Sequence, residues 1–394
     1  MKKIDAMKVQ QLRAETPGCQ HVLHFNNAGS ALPPLAVTQA IKKHLDLEAT
    51  IGGYEAEDAV HTITEKFYAV AAQLIHAHRD EIAFTENATR AWDMAFYSFK
   101  FNKGDRIVTA MCEYASNYLA FLQKAKQTGV IIDVVQNDAV GQLDLNDLEK
   151  KLTGDVKLIA ITHVPTQGGL INPAAAIGKI ANKYHIPYLL DTTQSVGQMP
   201  IDVREIGCDF LCATGRKYLR GPRGTGFLYA KKSMLEKCDP PFVDLHAATW
   251  DKTNDYVLRN DARRFETWEQ NIAAKIGLTT AIKYVLQLEI AVIWERIQLL
   301  ATLLREQLTK IPGITLQDLG QHKCGIVTFT YKNHSAVSIQ QYLAKEKINV
   351  SVSLQEYARL DLQHRNLAAI VRSSVHYYNT EEEIERFCAV IKRM

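Results

Sequence analysis

Seven short apolar runs, spaced by amphipathic segments, govern what this chain can fold into. They are EIAFT (81–85), RIVTA (106–110), IIDVV (131–135), VKLIAITHV (156–164), PYLLD (187–191), CDFLCAT (208–214) and GFLYA (226–230). Each is rich in apolar residues and lacks clean polar alternation, the pattern of strands buried on both faces. Helical segments fall between several of them: ATRAWDMAFYSF (88–99), SNYLAFLQKAKQTG (116–129) and PAAAIGKIANKYH (173–185). Pro173 marks a helix start and Gly129 a helix stop. Strand and helix in turn predict an α/β fold, a mainly parallel seven-stranded sheet sandwiched by helices.

At 394 residues the chain exceeds what one hydrophobic core usually serves. We expect a large domain over 45–285 and a smaller α+β C-terminal domain over 286–394, with segment 1–44 packing near the smaller one. The boundary follows from one long helical stretch (271–311) that meets the break PGI. After it, GIVTFTY, AVSIQQYLAKEK, INVSVS, AIVRSSVHYY and TEEEIERFCAVIKRM read as strand, helix, strand, strand and helix.

The formal net charge is +3, with basic and acidic residues interspersed, so the electrostatic footprint of a nucleic-acid binder is missing. No apolar run has the length of a membrane span, and the N-terminal residues lack the apolar core of a signal peptide; a cytoplasmic location is expected. Seven cysteines, without a CxxC pair or metal-ligand spacing to histidines, read as reduced thiols and give no metal site.

Ligands of open α/β sheets collect outside the carboxyl ends of the strands. After EIAFT stand Asn87, Ala88 and Thr89, where a strand passes into a helix; they read either as a plain helix cap or as a phosphate cradle of exposed N–H groups at the positive end of the helix dipole. After PYLL stands Asp191, with Gln194 three residues on; a carboxylate there is costly unless an arginine, a backbone amide or a protonated ring nitrogen pairs with it. After CDFLCAT come Thr214, Gly215, Arg216 and Lys217. Crowding by Arg216, Arg220 and Arg223 is expected to lower the lysine's pKa and make it a usable amine nucleophile. A phosphate site, an acid for a pyridinium nitrogen and a lysine that condenses with an aldehyde are the three parts that pyridoxal 5′-phosphate (PLP) needs.

FNNAGSALPP (25–34), FTENATRAW (84–92), EYASNY (113–118), LLDTTQSVG (189–197), TGRKYLRGPRGTGFLY (214–229) and VRSSVHYYNTEEEI (371–384) carry a further signal. This series resembles the class V aminotransferase and cysteine desulfurase superfamily of fold type I PLP enzymes, over nearly the whole chain and in the same order. The resemblance implies that Lys217 bonds to the cofactor and moves the Cα proton, Asp191 pairs with the ring nitrogen, and Gln194 contacts the ring oxygen. It implies that Asn87, Ala88, Thr89, Thr214 and Arg216 form the phosphate end and that Tyr114 stacks on the ring. It places Arg372 on the substrate carboxylate and Asn27, Ala28 and Thr166 at the same pocket, although Thr166 by residue type alone reads as a loop threonine. It further implies a homodimer.

The chain departs from the desulfurase pattern in three places. SVSLQEYARLDLQHRNLAA (351–369), where desulfurases carry a nucleophilic cysteine, has none, and Cys324 is elsewhere. Glu269, in FETWEQN, stands where relatives have a threonine that reaches a neighbouring subunit's phosphate. KYLRGPRGTGF has an extra residue, closer to the isopenicillin N epimerase-like and C–S lyase-like branch. The expected activity is therefore a β-eliminating C–S lyase acting on a small amino acid through Cα deprotonation, with class V transamination as the alternative, followed by epimerisation or non-catalytic PLP binding. Arg220 and Arg223 are left without a role and are the first candidates for selecting the substrate.

Overall fold

The computed structural model describes residues 3–394. The seven apolar runs form one sheet, with strands β1 Ile82–Thr85, β2 Arg106–Ala110, β3 Ile131–Val135, β4 Val156–Thr162, β5 Tyr188–Asp191, β6 Phe210–Thr214 and β7 Gly226–Ala230. Their order across the sheet is β1-β7-β6-β5-β4-β2-β3, and only β7 runs against its neighbours. The mainly parallel seven-stranded sheet expected from the sequence is thus present. Missing polar alternation has a direct cause here: successive residues serve two different cores. Leu189 and Phe210 pack with Trp92, Phe96 and Phe121 on one face, while Leu190 and Leu211 pack with Ile161 and Tyr188 on the other.

Parallel strands place their carboxyl ends on one side, and the helices that follow begin there. Ala88–Phe96 starts at the Asn87 cap, Ala115–Thr128 stops at Gly129 in the left-handed region (φ 79°), and Ala174–Lys183 follows Pro173.

The predicted continuous helix over 271–311 is two helices, Ile272–Leu288 and Ile290–Thr309, bent by 81° where Glu289 adopts φ 67°. No glycine or proline marks the bend; packing imposes it. The first helix lies on Leu35–Ile51 and Gly53–Ile75, the second on the C-terminal helix Glu381–Lys392. Beyond it lies a four-stranded antiparallel sheet ordered Ile314–Leu316, Ile326–Tyr331, Ala369–Ser374, Ser351–Leu354, and Leu23–His24 pairs with Ile348–Asn349. The strand Ile314–Leu316, the hairpin Ala248–Lys252/Asp255–Leu258 and the helix Arg359–His364 have no counterpart in the sequence reading.

Arg220 does not face a substrate. It is fully buried in the left-handed region (φ 60°), and its guanidinium donates to Leu32 O (2.7 Å), Tyr377 Oη (2.6 Å) and Thr16 Oγ1 (2.6 Å) beneath the ring of Tyr378. It ties the N-terminal segment, the lysine loop and the C-terminal tail together. No carboxylate pairs with it among the described residues, so neutral acceptors and the π face of Tyr378 offset its desolvation. Arg220→Met should therefore lower unfolding free energy by about 2–4 kcal/mol, read by urea denaturation, because it leaves buried acceptors without donors. Substrate preference should stay unchanged; altered preference at intact stability would return Arg220 to the site.

Candidate active site

Lys217 lies three residues beyond the end of β6 in a loop closed by Gly215 N to Thr225 O and Gly221 N to Gly215 O (both 2.8 Å). Gly197 makes this loop possible. It sits at φ 92°, and a Cβ there would come within 2.5 Å of Tyr218 C and 2.6 Å of Leu219 N, so only glycine lets the two backbones touch. Lys217 is buried, and no carboxylate pairs with its ammonium among the described residues. Burial above all, then the charges of Arg216 and Arg372, push its pKa well below the ordinary lysine range, against an opposing pull from Asp191. The expected direction holds, but Arg372 and desolvation act where the sequence pointed to Arg220 and Arg223.

A cavity of about 480 Å³ opens over Lys217, lined by Asn87, Ala88, Thr89 and Tyr114 and by Thr166, Asp191, Gln194, Thr214 and Arg216. A second cavity of about 530 Å³ adjoins it, sharing Tyr114, Thr166, Arg216 and Lys217 and adding Ala28 and Arg372. Of the thirteen residues to which the resemblance gave a site role, twelve line these two adjoining cavities. Asn27 is the exception. Its amide is used up on the carbonyls of His24 (3.2 Å) and Ser374 (2.7 Å), on Asn379 Oδ1 (3.4 Å) and on the Tyr378 hydroxyl, so it shapes the turn beneath the pocket without facing it. Its neighbour Asn26 instead reaches Arg372, accepting from Nη2 (3.4 Å).

At one end of the cavity, the Asn87 side chain caps Arg90 N (2.9 Å), which leaves the N–H groups of Ala88 and Thr89 at the open helix N-terminus. Strand β7 lies hard against this turn: a Cβ on Gly226 would sit 2.8 Å from Asn87 C. Arg216 donates to Gly29 O, and Arg223 also lines this end. In the middle, Asp191 is buried, and no cationic side chain pairs with it among the described residues. Its Oδ1 accepts from Thr193 N (2.9 Å) and its Oδ2 from Asn117 Nδ2 (3.0 Å). Gln194 donates to Ala28 O (3.1 Å) and Thr166 Oγ1 (3.3 Å), while its Oε1 is buried and unpaired. At the far end Arg372 donates to Thr166, and its Nε is buried and unpaired; burial first of all lowers its pKa to about 10, still a cation at neutral pH.

Unpaired polar atoms on Gln194 and Arg372, open N–H groups at a helix N-terminus and a buried carboxylate lacking a cation are costs that a bound group relieves. A phosphate at the helix end, a protonated ring nitrogen at Asp191 and an aldehyde at Lys217 match them, so the residues fit PLP. Fold and site together define a fold type I PLP enzyme.

The chain belongs to the class V aminotransferase family, whose profile, described as "Aminotransferase class-V", matches residues 23–387. It is 31% identical to a "Probable cysteine desulfurase" of Pyrococcus abyssi, over 98% of this chain and 97% of that one. Among solved structures it is similar to the apo form of a cysteine desulfurase from Thermococcus onnurineus NA1, with TM-score 0.91, 26% identity and coverage of 98% and 97%. It shares its fold with the cystine C–S lyase C-DES bound to cysteine persulfide, with TM-score 0.86, 21% identity and coverage of 96% and 99%.

Sequence reasoning passed over Glu113 and Asn117, although both lie in the EYASNY segment that supplied Tyr114. Glu113 is buried behind the pocket and Asn117 touches both Glu113 and Asp191. The spacing of four across a helix start was the available signal.

A depressed lysine pKa extends the neutral, reactive amine to lower pH. Borohydride trapping of the aldehyde on cofactor-stripped protein should therefore label Lys217 rapidly at neutral pH. A labelling rate that rises only in the ordinary lysine range, or a label on another lysine, would show that Lys217 is not the nucleophile.

Proposed function

We propose that this enzyme is a β-eliminating C–S lyase acting on a small sulfur-containing amino acid. The observation that carries this reading is the lining of the substrate-side cavity: the Lys217 amine and the Arg372 guanidinium, with Ala28, Ser351, Val352, Ser353 and Tyr357 around them and no cysteine among the lining residues. Desulfurase chemistry by an internal thiol needs a thiolate at this mouth. Cys324 is instead fully buried, and desolvation pushes its thiol up to about 12.

Arg372, whose Nε is buried and unpaired, would take the substrate carboxylate in the cavity that it shares with Lys217. Asn87, Ala88, Thr89, Thr214 and Arg216 would hold the cofactor phosphate, Asp191 the ring nitrogen, Gln194 the ring oxygen, and Tyr114 one face of the ring. When bound, PLP supplies an aldehyde that captures the amino group and a ring system that takes up the electron pair left at Cα. Lys217 Nζ, whose pKa burial lowers, would accept the Cα proton and return one to the departing sulfur. Loss of sulfur from Cβ, followed by addition of water, yields a thiol, pyruvate and ammonia. We also propose a cytoplasmic homodimer. Phe242, Leu245, Trp250, Tyr256, Val257 and Trp268 are large apolar side chains left exposed in this chain, and Phe242 lines a cavity shared with Glu86, Arg90 and Gly224; such side chains suit a subunit contact. Glu269 lies in the same segment and is exposed there.

Turnover of cysteine, cystine and their S-substituted relatives should release pyruvate and ammonia in equal amounts without added keto acid. A strict keto-acid requirement with amino-group exchange would replace this reading with transamination. Arg372→Ala should lower kcat/KM by roughly 10- to 100-fold, the scale of a lost charge-assisted contact, and unchanged kinetics would remove it from the pocket.

A further inference from the structure

Behind the pocket, Glu113 occupies a fully enclosed position and accepts five hydrogen bonds. Oε2 takes Thr109 Oγ1 (3.0 Å) and Thr162 N (3.2 Å); Oε1 takes Thr162 Oγ1 (2.5 Å), Tyr114 N (2.9 Å) and Asn117 Nδ2 (2.9 Å). Thr109 and Thr162 sit at the ends of the neighbouring strands β2 and β4, so the carboxylate is clamped to the most rigid part of the fold. Asn117 Nδ2 then spends its second hydrogen on Asp191 Oδ2 (3.0 Å). The amide has one orientation available: turned over, its oxygen would face two carboxylates. The line of contacts is unbroken from strand ends through Glu113 and Asn117 to Asp191, with a branch to the backbone of Tyr114.

We infer that Glu113 and Asn117 are positioning residues for the cofactor ring, holding Asp191 at the ring nitrogen and Tyr114 over the ring face from a single clamped carboxylate. Neither residue lines the substrate-side cavity, and the inference stands whichever bond the enzyme breaks. A second feature points the same way. Two carboxylates share one amide in a buried region that holds no lysine or arginine paired to either among the described residues. Burial drives the Glu113 pKa up to about 7, the hydrogen bonds of Thr162 and Asn117 oppose this, and the charge of Asp191 adds to it. A protonated ring nitrogen at Asp191 is the cation that such a pair attracts.

The test separates this role from a merely structural one by comparing PLP with its 1-deaza analogue, which carries C–H where the cofactor has its ring nitrogen. Dissociation constants are measured on full-length, cofactor-stripped protein in a Lys217→Ala background, so that only noncovalent binding is read. Without further substitution, PLP should bind more tightly than the analogue. In Asn117→Ala and in Glu113→Gln that preference should shrink about tenfold, the scale of one hydrogen bond to a charged group. Equal weakening of both ligands, with the preference unchanged, would show that the two residues only support the fold and would overturn the inference. If Glu113→Gln does not fold, Asn117→Ala decides the matter alone. Failure here would leave the lyase reading untouched, since no turnover is measured.

Discussion

Desolvation of Lys217 is the constraint on which the rest of the site depends. Burial, followed by the charges of Arg216 and Arg372, disfavours the ammonium form of Lys217 and lowers its pKa. The neutral amine is the form that attacks an aldehyde and later accepts a proton. For this to work the loop must turn sharply and stay buried, which requires the backbone contact at Gly197 and the anchorage by Arg220. Reactivity is thus prepared by packing well away from the reacting nitrogen.

The same economy runs through the polar groups. A parallel sheet leaves backbone N–H groups and strand-end side chains facing one rim, and the chain satisfies some of them internally while leaving others for a ligand. Asn87 caps only the third N–H of its helix; Gln194 and Arg372 each keep one buried atom unpaired; Asp191 is oriented by donors but given no counter-charge. Each omission costs stability in the ligand-free protein. Together they leave open N–H donors at one end of the cavity, an uncompensated carboxylate in the middle and a guanidinium at the other end.

Membership of a family rich in cysteine desulfurases makes the missing thiol informative. The segment that faces the pocket mouth, Ser351–Leu354 with Tyr357 beyond it, supplies hydroxyl, aliphatic and phenolic groups. No cysteine is among the residues lining this cavity, while the fold is the family's; a shared scaffold leaves such site residues free to differ.

Much of this was legible in the sequence, and for definite reasons. Strands buried on both faces write themselves as unbroken apolar runs, so all seven were visible with boundaries shifted by two residues at most; the cavity-lining residues beyond their carboxyl ends, Thr89, Asp191 and Lys217, follow from the same rule. Local chemistry also announced the cap at Asn87 and the stop at Gly129. What the sequence could not reveal depends on partners distant along the chain. The bend at Glu289 carries no glycine or proline and exists because two helices pack on different neighbours. Arg220 reads like Arg216 and Arg223 until the fold brings Thr16, Leu32 and Tyr377 to it, and Asn27 reads like Asn26 until Ser374 and Tyr378 claim its amide. Glu113 and Asn117 are an unremarkable pair four residues apart until Thr162 and Asp191 close the network. Periodicity is a local property and survives in one dimension; the partner of a buried polar group is a property of three, and only the tertiary structure decided it.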